Sequence, residues 1–450
     1  MKKTKKILSL AIASILTVIS FSGCGSSNQS SEAVNSKGGS EKTVTLRMWG
    51  GVPPEAGPQK ACDNFNELYK DKGIQVEYER YVNDETGNLK LETNLLSGNG
   101  VDLYMTYSAD VLTKRADANM ALDLTELCEK DAFDINQYFG DMAKSYYVNG
   151  KPYSIPTKLD QFGIVLNKTM FEEAGIEIPT EWTYDEFMEI AKKLTKGEGQ
   201  DKTYGMFWNT QQDPTGFTYS LCQTLGGDPF YKSETETNFT SPEFIKSVDL
   251  INKMMNVDGT SPTHTDSVTQ KLSQESMFLT GKSAMTIGSW MIRNIKNVQE
   301  YPHDFETAFA PYPVVEKGQR NYTQGGYGDF LCINPKSENI DAAWTFLQWY
   351  STEGMLPVVE GGRVPASNTY EPEEIVQAFI KGSEKYLDSE TTMNVLIKPA
   401  NNYAVPKITN KLPEIKKVLH EELEGIYTGN QTSEEGMKKA KERADELLKN

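Results

Sequence analysis

Histidine is almost missing from this chain: only His264, His303 and His420 occur in 450 residues. A metal centre or a histidine-based nucleophile would need most of them in one place, and HEELE at 420–424 lacks the second histidine of a zinc-protease helix. Cysteine is scarce too. Past the N-terminal region Cys62, Cys128, Cys222 and Cys332 stand far apart with no Cys-x-x-Cys between them, so zinc and thioredoxin-like spacings are excluded. They read as free, buried, small apolar side chains, although an extracytoplasmic chain could join them in any of three pairings. Positive charge is short: 46 basic against 63 acidic residues give −17, which disfavours nucleic acid and opposes adsorption to anionic lipid. Beyond the N-terminus no apolar run reaches membrane-spanning length. Phosphate loops are lacking as well, since TGKS at 280–283 has Ser276 where the first glycine belongs and QGGYG at 324–328 is too loose for a dinucleotide fingerprint. Carboxylates abound, but no spacing marks a glycosidase pair. Neither a catalytic residue, a metal nor a cofactor is therefore expected.

What is there begins with MKKTKKILSLAIASILTVISFSGCGSS, a lysine-rich start followed by an apolar run over 7–21 that is too short to favour a spanning helix. Residues 1–23 read as a secretion signal. Ser22, Gly23 and Cys24 resemble the lipobox of bacterial lipoproteins, with Phe21 where leucine is usual, so Cys24 is the expected lipidation site. Two acyl chains give durable anchoring where a single one is marginal. Residues 24–42 are a polar tether with too few apolar side chains to fold. The chain is thus expected outside the cell membrane, attached to it through this N-terminal lipid alone.

The rest, residues 43–450, is long enough for two domains. TVTLRMWG, IQVEYERY and VDLYMTYS each have strand character, and PQKACDNFNELYKDKG between the first two places Ala61, Phe65, Leu68 and Tyr69 on one helical face. The order β-α-β-α-β predicts a parallel sheet, whose ligands bind beyond the carboxyl ends of its strands. Those ends carry Trp49, Gly50 and Gly51, then Arg80 and Tyr81, then Tyr107 and Ser108. Helical patterns dominate after Lys151, with SPEFIKSVDLINKMMN, QESMFLTG and the charged terminal EEGMKKAKERADELLKN, while DFLCINP reads as a further strand followed by the helix AAWTFLQWYST. Two α/β lobes around a cleft are expected.

FGIVLNKTMFEEAGIEIPTEWTYDEF, 162–187, is the most closely punctuated stretch. FGIVLN reads as a buried strand, Asn167 as the cap of a short helix that Gly175 stops, and Thr183 with Glu186 as a capping box flanked by the staple pair Trp182 and Phe187. Phe187, Ile190, Ala191 and Leu194 share one face of the helix that follows, leaving Lys192, Lys193 and Lys196 for water.

NGKPYSIPTKLDQFGIVLNKTMFEEAGIEIPTEWTYDEFMEIAKKL resembles the hallmark segment of extracellular solute-binding proteins of the sugar-binding family, the receptors of ABC importers. The Gly-Lys-x-Tyr-x-x-Pro turn, the strand ending in Asn-Lys, the Phe-x-x-Ala-Gly helix end and the Pro-x-x-Trp-x-x-Phe helix start are all present. SGNGVDLYM, FLTGKSAMTIGSW and GGRVPA are similar to further family segments, with Val101 where the family has proline. The resemblance runs from about residue 43 to the C-terminus. It implies a periplasmic-binding-protein-like type II fold, with 43–158 and 325–366 in the N-terminal lobe, 159–324 and 367–450 in the other, and crossings near 158–161, 324–327 and 364–367. It also implies a carbohydrate in the cleft, a monomer, and permease subunits as partners docked through acidic surface residues of both lobes.

A sugar offers an apolar C–H face and a rim of hydroxyls, so aromatic plates and planar polar groups suit it. Trp49, Trp208 and Trp290 are the candidate plates, whereas Trp344 and Trp349 lie on a helical apolar pattern and read as core. Glu55, Arg80, Tyr107, Asp160, Gln161, Asn209, Tyr327 and Arg363 are the polar or mixed candidates, and Gly325 and Gly326 could bring backbone amides close to a ligand. Arg80, Lys158 and Arg363 leave a sugar phosphate open as the solute. Rival readings are a secreted glycoside-processing enzyme and a chemoreceptor or adhesion ligand without a transport partner.

Overall fold

Strand β1 (Val44–Gly50) buries Leu46 and Met48 on one face and Trp49 on the other, and it pairs in parallel with β2 (Ile74–Arg80) and β3 (Leu103–Thr106). The coordinates are a computed structural model that describes residues 43–449 apart from 99, 212–213, 289–290, 320–321, 399–401, 406 and 410. The expected signal segment, Cys24, the tether and Trp290 lie outside the described residues. Helix Pro58–Leu68 joins β1 to β2 and buries Ala61, Cys62 and Phe65, but Leu68 is 61% exposed. The helix ends there, and Tyr69 instead stacks on Phe65 with ring centroids 4.2 Å apart. Helix Glu85–Ser97 joins β2 to β3; the Asp84 carboxylate accepts from the Gly87 amide at 2.8 Å to cap its start, and Gly98 ends it in the left-handed conformation.

The chain then leaves this sheet along a ribbon. Strand β4 (Ile155–Gln161) precedes β5 (Ile164–Asn167), β6 (Met285–Ile287) and β7 (Thr307–Ala310); the long β8 (Tyr322–Ile333) returns, followed by β9 (Val364–Pro365) and β10 (Asn402–Ala404). The larger sheet runs β2-β1-β3-β8-β4-β9, and β5 is the centre of a second sheet, β6-β5-β7. β8 is antiparallel to both β3 and β4: Ile333 lies opposite Leu103, Leu331 opposite Met105 and Ile155, and Gly325 opposite Gln161. Thus β4 and β8 continue past the carboxyl ends of β1 to β3 as a pair. β9 joins the same ribbon through Lys158 and Leu159, and β10 pairs with Tyr322–Gln324 at its far end.

Alternation of side chains places a separate apolar layer on each face of each sheet. Leu46, Met48, Leu103 and Met105 face a core with Phe65, Trp344 and Tyr350, while Trp49, Tyr104 and Phe330 face one with Leu91 and Leu112. In the second sheet Ile164 and Leu166 face Trp182, Phe187 and Trp208, while Val165 faces Phe278, Ile292 and Phe309. Two α/β lobes result, each with layers of its own, and 43–450 stay one compact unit through the ribbon.

The punctuated stretch folds as its residues dictate. The Asn167 side chain accepts from the Met170 amide at 3.1 Å, and Gly175 is left-handed. The Thr183 amide donates to Glu186 at 2.8 Å and the Glu186 amide to the Thr183 hydroxyl at 3.2 Å, which starts helix Tyr184–Leu194. Trp182 meets Phe187 edge to face at 5.3 Å, and its indole N–H donates to the Pro311 carbonyl at 2.7 Å, so this tryptophan locks the helix onto the second sheet. Lys192 is less free than expected, pairing with Glu189 at 3.0 Å and Asp258 at 3.5 Å. All four described cysteines are free thiols; Cys62, Cys222 and Cys332 are buried and Cys128 half-buried. Trp344 is core, its N–H on Asp131 at 2.9 Å, and Trp349 packs partly buried on Phe65.

Candidate ligand-binding cleft

Because β1, β2 and β3 are parallel, their carboxyl ends open on the same edge of the sheet, and the ribbon crosses that edge. Two cavities lie there. One of about 580 Å³ is walled on one side by Pro53, Glu55 and Arg80, which follow β1 and end β2, and on the other by Arg293, Asn297 and Tyr301 of the second lobe. Glu360 and Gly361, just before β9, also line it. The other, about 210 Å³, has Ser108 and Asp110 after β3, Asp160, Gly325 and Tyr327 on the ribbon, and Tyr219 and Lys416 from the second lobe.

The floor is fixed by the ribbon itself. The Lys158 ammonium pairs with the Asp160 carboxylate two residues along β4. Gly328 lies opposite Lys158, and a Cβ there would stand 2.4 Å from Asp160 Oδ2, so only glycine lets that carboxylate rest on β8. At Gly325, with φ +146°, a Cβ would stand 2.2 Å from the Asp160 carbonyl oxygen. The Tyr327 amide donates to the Tyr146 hydroxyl at 2.8 Å, the two rings lie 5.7 Å apart, and the Tyr327 hydroxyl donates to the Phe139 carbonyl. Burial raises the Tyr327 phenol to about 12, so it stays a neutral hydrogen-bonding group. Two carboxylates, three phenols, the Lys416 ammonium and the start of helix Ala109–Asp117, where the Ser108 side chain makes no capping bond, thus surround the smaller cavity. Neutral hydroxyls find both donors and acceptors in such a set.

The candidates read from the sequence divide sharply. Asp160, Gly325 and Tyr327 meet at the smaller cavity and Glu55 and Arg80 at the larger. Trp49 is a correction: its side chain turns into the layer between β1 and helix Glu85–Ser97, 5% exposed, with the Lys90 ammonium 4.7 Å from the ring centroid. Trp208 is another, 0% exposed and edge-on to Phe217 at 4.6 Å, so neither indole offers a plate to a ligand. Asn209, 4% exposed, donates to Gln274 at 3.1 Å and accepts from the Gln211 amide at 3.1 Å. Gln161 is 2% exposed and faces the Tyr403 phenol under the ribbon. Arg363 is engaged by Asp329, Nε to Oδ2 2.7 Å, beside Tyr78, Tyr107 and Tyr350. Tyr107 accepts from the Gly51 amide at 2.5 Å, and crowding away from water pushes its phenol well above the ordinary value. Gly326, φ +111°, makes room for the Tyr146 hydroxyl, 2.2 Å from where a Cβ would stand. None of these latter candidates lines either cavity.

Asp110, Tyr146, Tyr219, Arg293 and Lys416 were not singled out from sequence. Asp110 and Arg293 sit two and three residues beyond positions that were, so extending each strand-end or tryptophan signal by one helical turn would have reached them. Tyr146, Tyr219 and Lys416 carry no local mark, since only the fold brings them to the cleft.

A profile described as bacterial extracellular solute-binding protein matches residues 51–356. Among curated relatives, the maltotriose-binding protein of Pyrococcus abyssi (strain GE5 / Orsay) is 25% identical over 268 residues, 58% of this chain and 53% of that one, so the chain matches about half of that relative's length. The sn-glycerol-3-phosphate-binding periplasmic protein UgpB of Escherichia coli (strain K12) is 23% identical over 454 residues, 92% and 94% of the two chains. Among solved structures, an ABC substrate-binding protein from Listeria monocytogenes in complex with cycloalternan superposes with a TM-score of 0.72 at 19% identity, covering 91% of this chain and 100% of that one. Two lobes joined by a strand ribbon over a cleft, with a family profile across most of the described residues, settle the assignment: the chain belongs to the bacterial extracellular solute-binding protein family.

Proposed function

We propose that this chain is the substrate-binding subunit of a carbohydrate ABC importer, holding a mono- or oligosaccharide between its lobes and presenting it to permease subunits outside the cell membrane. The observation that carries the reading is the pair of cavities at the carboxyl ends of β1 to β3, each walled by both lobes, the smaller one floored by the ribbon. The relatives that bind maltotriose and cycloalternan support a saccharide as the solute. In this reading Asp160, Tyr327 and the Ser108 helix start take hydroxyls, and Glu55 and Arg80 take the groups of a further ring.

The lobes divide as 43–158 with 325–366 and 159–324 with 367–450, a division the three hydrogen-bonded crossings support. Ligand touches both walls at once only when the lobes approach, so it shifts the open–closed balance towards the closed form that a permease recognises. Cys24 carries the lipid, and 24–42 let the domain reach its partner. The bound sugar leaves unchanged. Isothermal calorimetry against a panel of mono- and oligosaccharides, with chromatography of the ligand afterwards, tests this: binding with intact sugar is expected. Absence of binding across the panel, or cleavage of the sugar, overturns it.

A further inference from the structure

The larger cavity has a charge pattern that a neutral sugar does not use. Arg115, Arg363 and Arg443 are ion-paired with Glu92, Asp329 and Glu421. Arg80 and Arg293, one from each lobe, are exposed and line the same cavity with no carboxylate at ion-pair distance among the described residues. A third cation, Lys296, borders them; its ammonium donates to the Glu360 and Phe379 carbonyls at 2.7 and 2.6 Å. Of the three lining acids, Glu360 is paired with Lys381 at 2.7 Å, while Glu300, which accepts from the Asn297 side chain at 3.0 Å, and Glu55 keep their charge without an ion pair among the described residues. With Glu360 matched by Lys381, three cations face two carboxylates at this cavity, a one-charge positive excess in a chain of net charge −17. Two guanidinium groups brought together by lobe closure repel each other unless an anion stands between them, and their planar forks fit carboxylate and phosphate oxygens.

We infer that this cavity receives an acidic group of the saccharide, a carboxylate or a phosphate ester, clamped between Arg80 of one lobe and Arg293 of the other. The inference rests on the carbohydrate reading above and narrows it to an acidic saccharide. About 580 Å³ is ample for one charged ring. Glu55, on the same wall as Arg80, then accepts from hydroxyls of that ring. The anion also explains how one ligand end can drive closure, because it neutralises a repulsion that exists only when the walls meet.

The experiment is calorimetry on the whole chain with neutral oligosaccharides, with tri(galacturonic acid) and its carboxyl-reduced form, and with hexose phosphates, repeated for R80Q and R293Q. An acidic member should bind more tightly than its neutral counterpart and weaken as salt is raised from about 0.01 M to about 0.5 M, over which the Debye length falls from about 30 Å to about 4 Å. Each glutamine variant should cost the acidic ligand about tenfold more affinity than it costs the neutral one. Whether uronates or phosphates show the effect identifies the anion. Neutral sugars binding as well as acidic ones, or variants that weaken both alike, overturn the inference and leave the carbohydrate reading standing. If no saccharide of either kind binds, both fall. Thermal melting of the two variants, whose altered side chains are exposed, should match the parent.

Discussion

Three glycine-to-alanine changes separate the ways in which backbone geometry supports the cleft. At Gly382, φ is +73° and nothing lies within 4 Å of a new Cβ, so G382A carries only the cost of a left-handed alanine, about 1–2 kcal/mol. At Gly325 the conformation is worse, φ +146°, and the new atom lies 2.2 Å from the Asp160 carbonyl oxygen on the paired strand, which is backbone and cannot turn aside. Strain of about 1–3 kcal/mol and overpacking of similar size give G325A a loss of about 2–6 kcal/mol. At Gly328 the obstacle is the Asp160 carboxylate at 2.4 Å, the end of a side chain that can rotate. G328A should therefore cost little stability while displacing a group at the cavity, with saccharide affinity falling about tenfold. Urea unfolding followed by tryptophan fluorescence reads the first two. With a slope of about 3 kcal/mol per molar, the G325A midpoint should drop by about 0.7–2 M, against about 0.3–0.7 M for G382A. Equal midpoints for G325A and G382A would refute the claim that close strand contact at the ribbon, and not backbone conformation alone, requires glycine there.

Other outcomes follow from the same coordinates. T183A removes the reciprocal cap of helix Tyr184–Leu194 and should lower stability by about 1 kcal/mol in a urea titration. D160N keeps the shape of the floor but withdraws its charge, and calorimetry should show affinity reduced about tenfold or more. Burial opposes ionisation of Asp445, but Lys441 at 2.5 Å and the Thr237 amide at 2.6 Å outweigh it and hold its pKa below the ordinary value. A depressed folded pKa stabilises above about pH 4 and loses that effect as pH falls, so D445N should melt well below the parent at pH 7 and nearer to it at pH 3. Lys296 works on the alkaline side: burial lowers its ammonium to about 8. The unfolded chain then holds the extra proton up to about pH 10.4, so stability should rise from pH 8 to 10 in the parent and stay flatter in K296M, as read by melting temperature against pH.

Much of the architecture was legible because it is written locally. Thr183, Glu186 and Trp182 specify a helix start within five residues, and Asn167 and Gly175 bracket the short helix before it. The β-α-β order alone placed the ligand edge of the sheet. The tryptophans misled because an aromatic at a strand end satisfies two descriptions: Trp49 ends β1, yet alternation turns its ring to the helix-covered face, and a period of two must be counted from a buried anchor such as Met48 to see it. Arg363 and Asn209 looked like free polar groups because their partners, Asp329 and Gln274, lie 34 and 65 residues away in sequence. Tyr219 and Lys416 have no local signal at all. Their place in the cleft depends on β10 returning to pair with β8, a contact between residues 80 positions apart.

The division between floor and walls decides what a ligand can do. Asp160, Gly325, Tyr327 and Gly328 belong to one hydrogen-bonded ribbon, so their mutual geometry is set before any ligand arrives, and contacts with them contribute about equally whether the lobes are open or closed. Such contacts raise affinity but shift no equilibrium. Arg80 and Arg293, or Asp110 and Lys416, stand on opposite lobes and can hold one ligand together only after approach. A ligand that reaches only the floor should therefore bind without closing the protein. One long or charged enough to engage both walls should close it, with a change in scattering radius that scales with the wall contacts and not with affinity. Small-angle scattering on a short and a long saccharide of matched affinity separates the two contributions, and equal closure by both would remove the distinction between floor and walls.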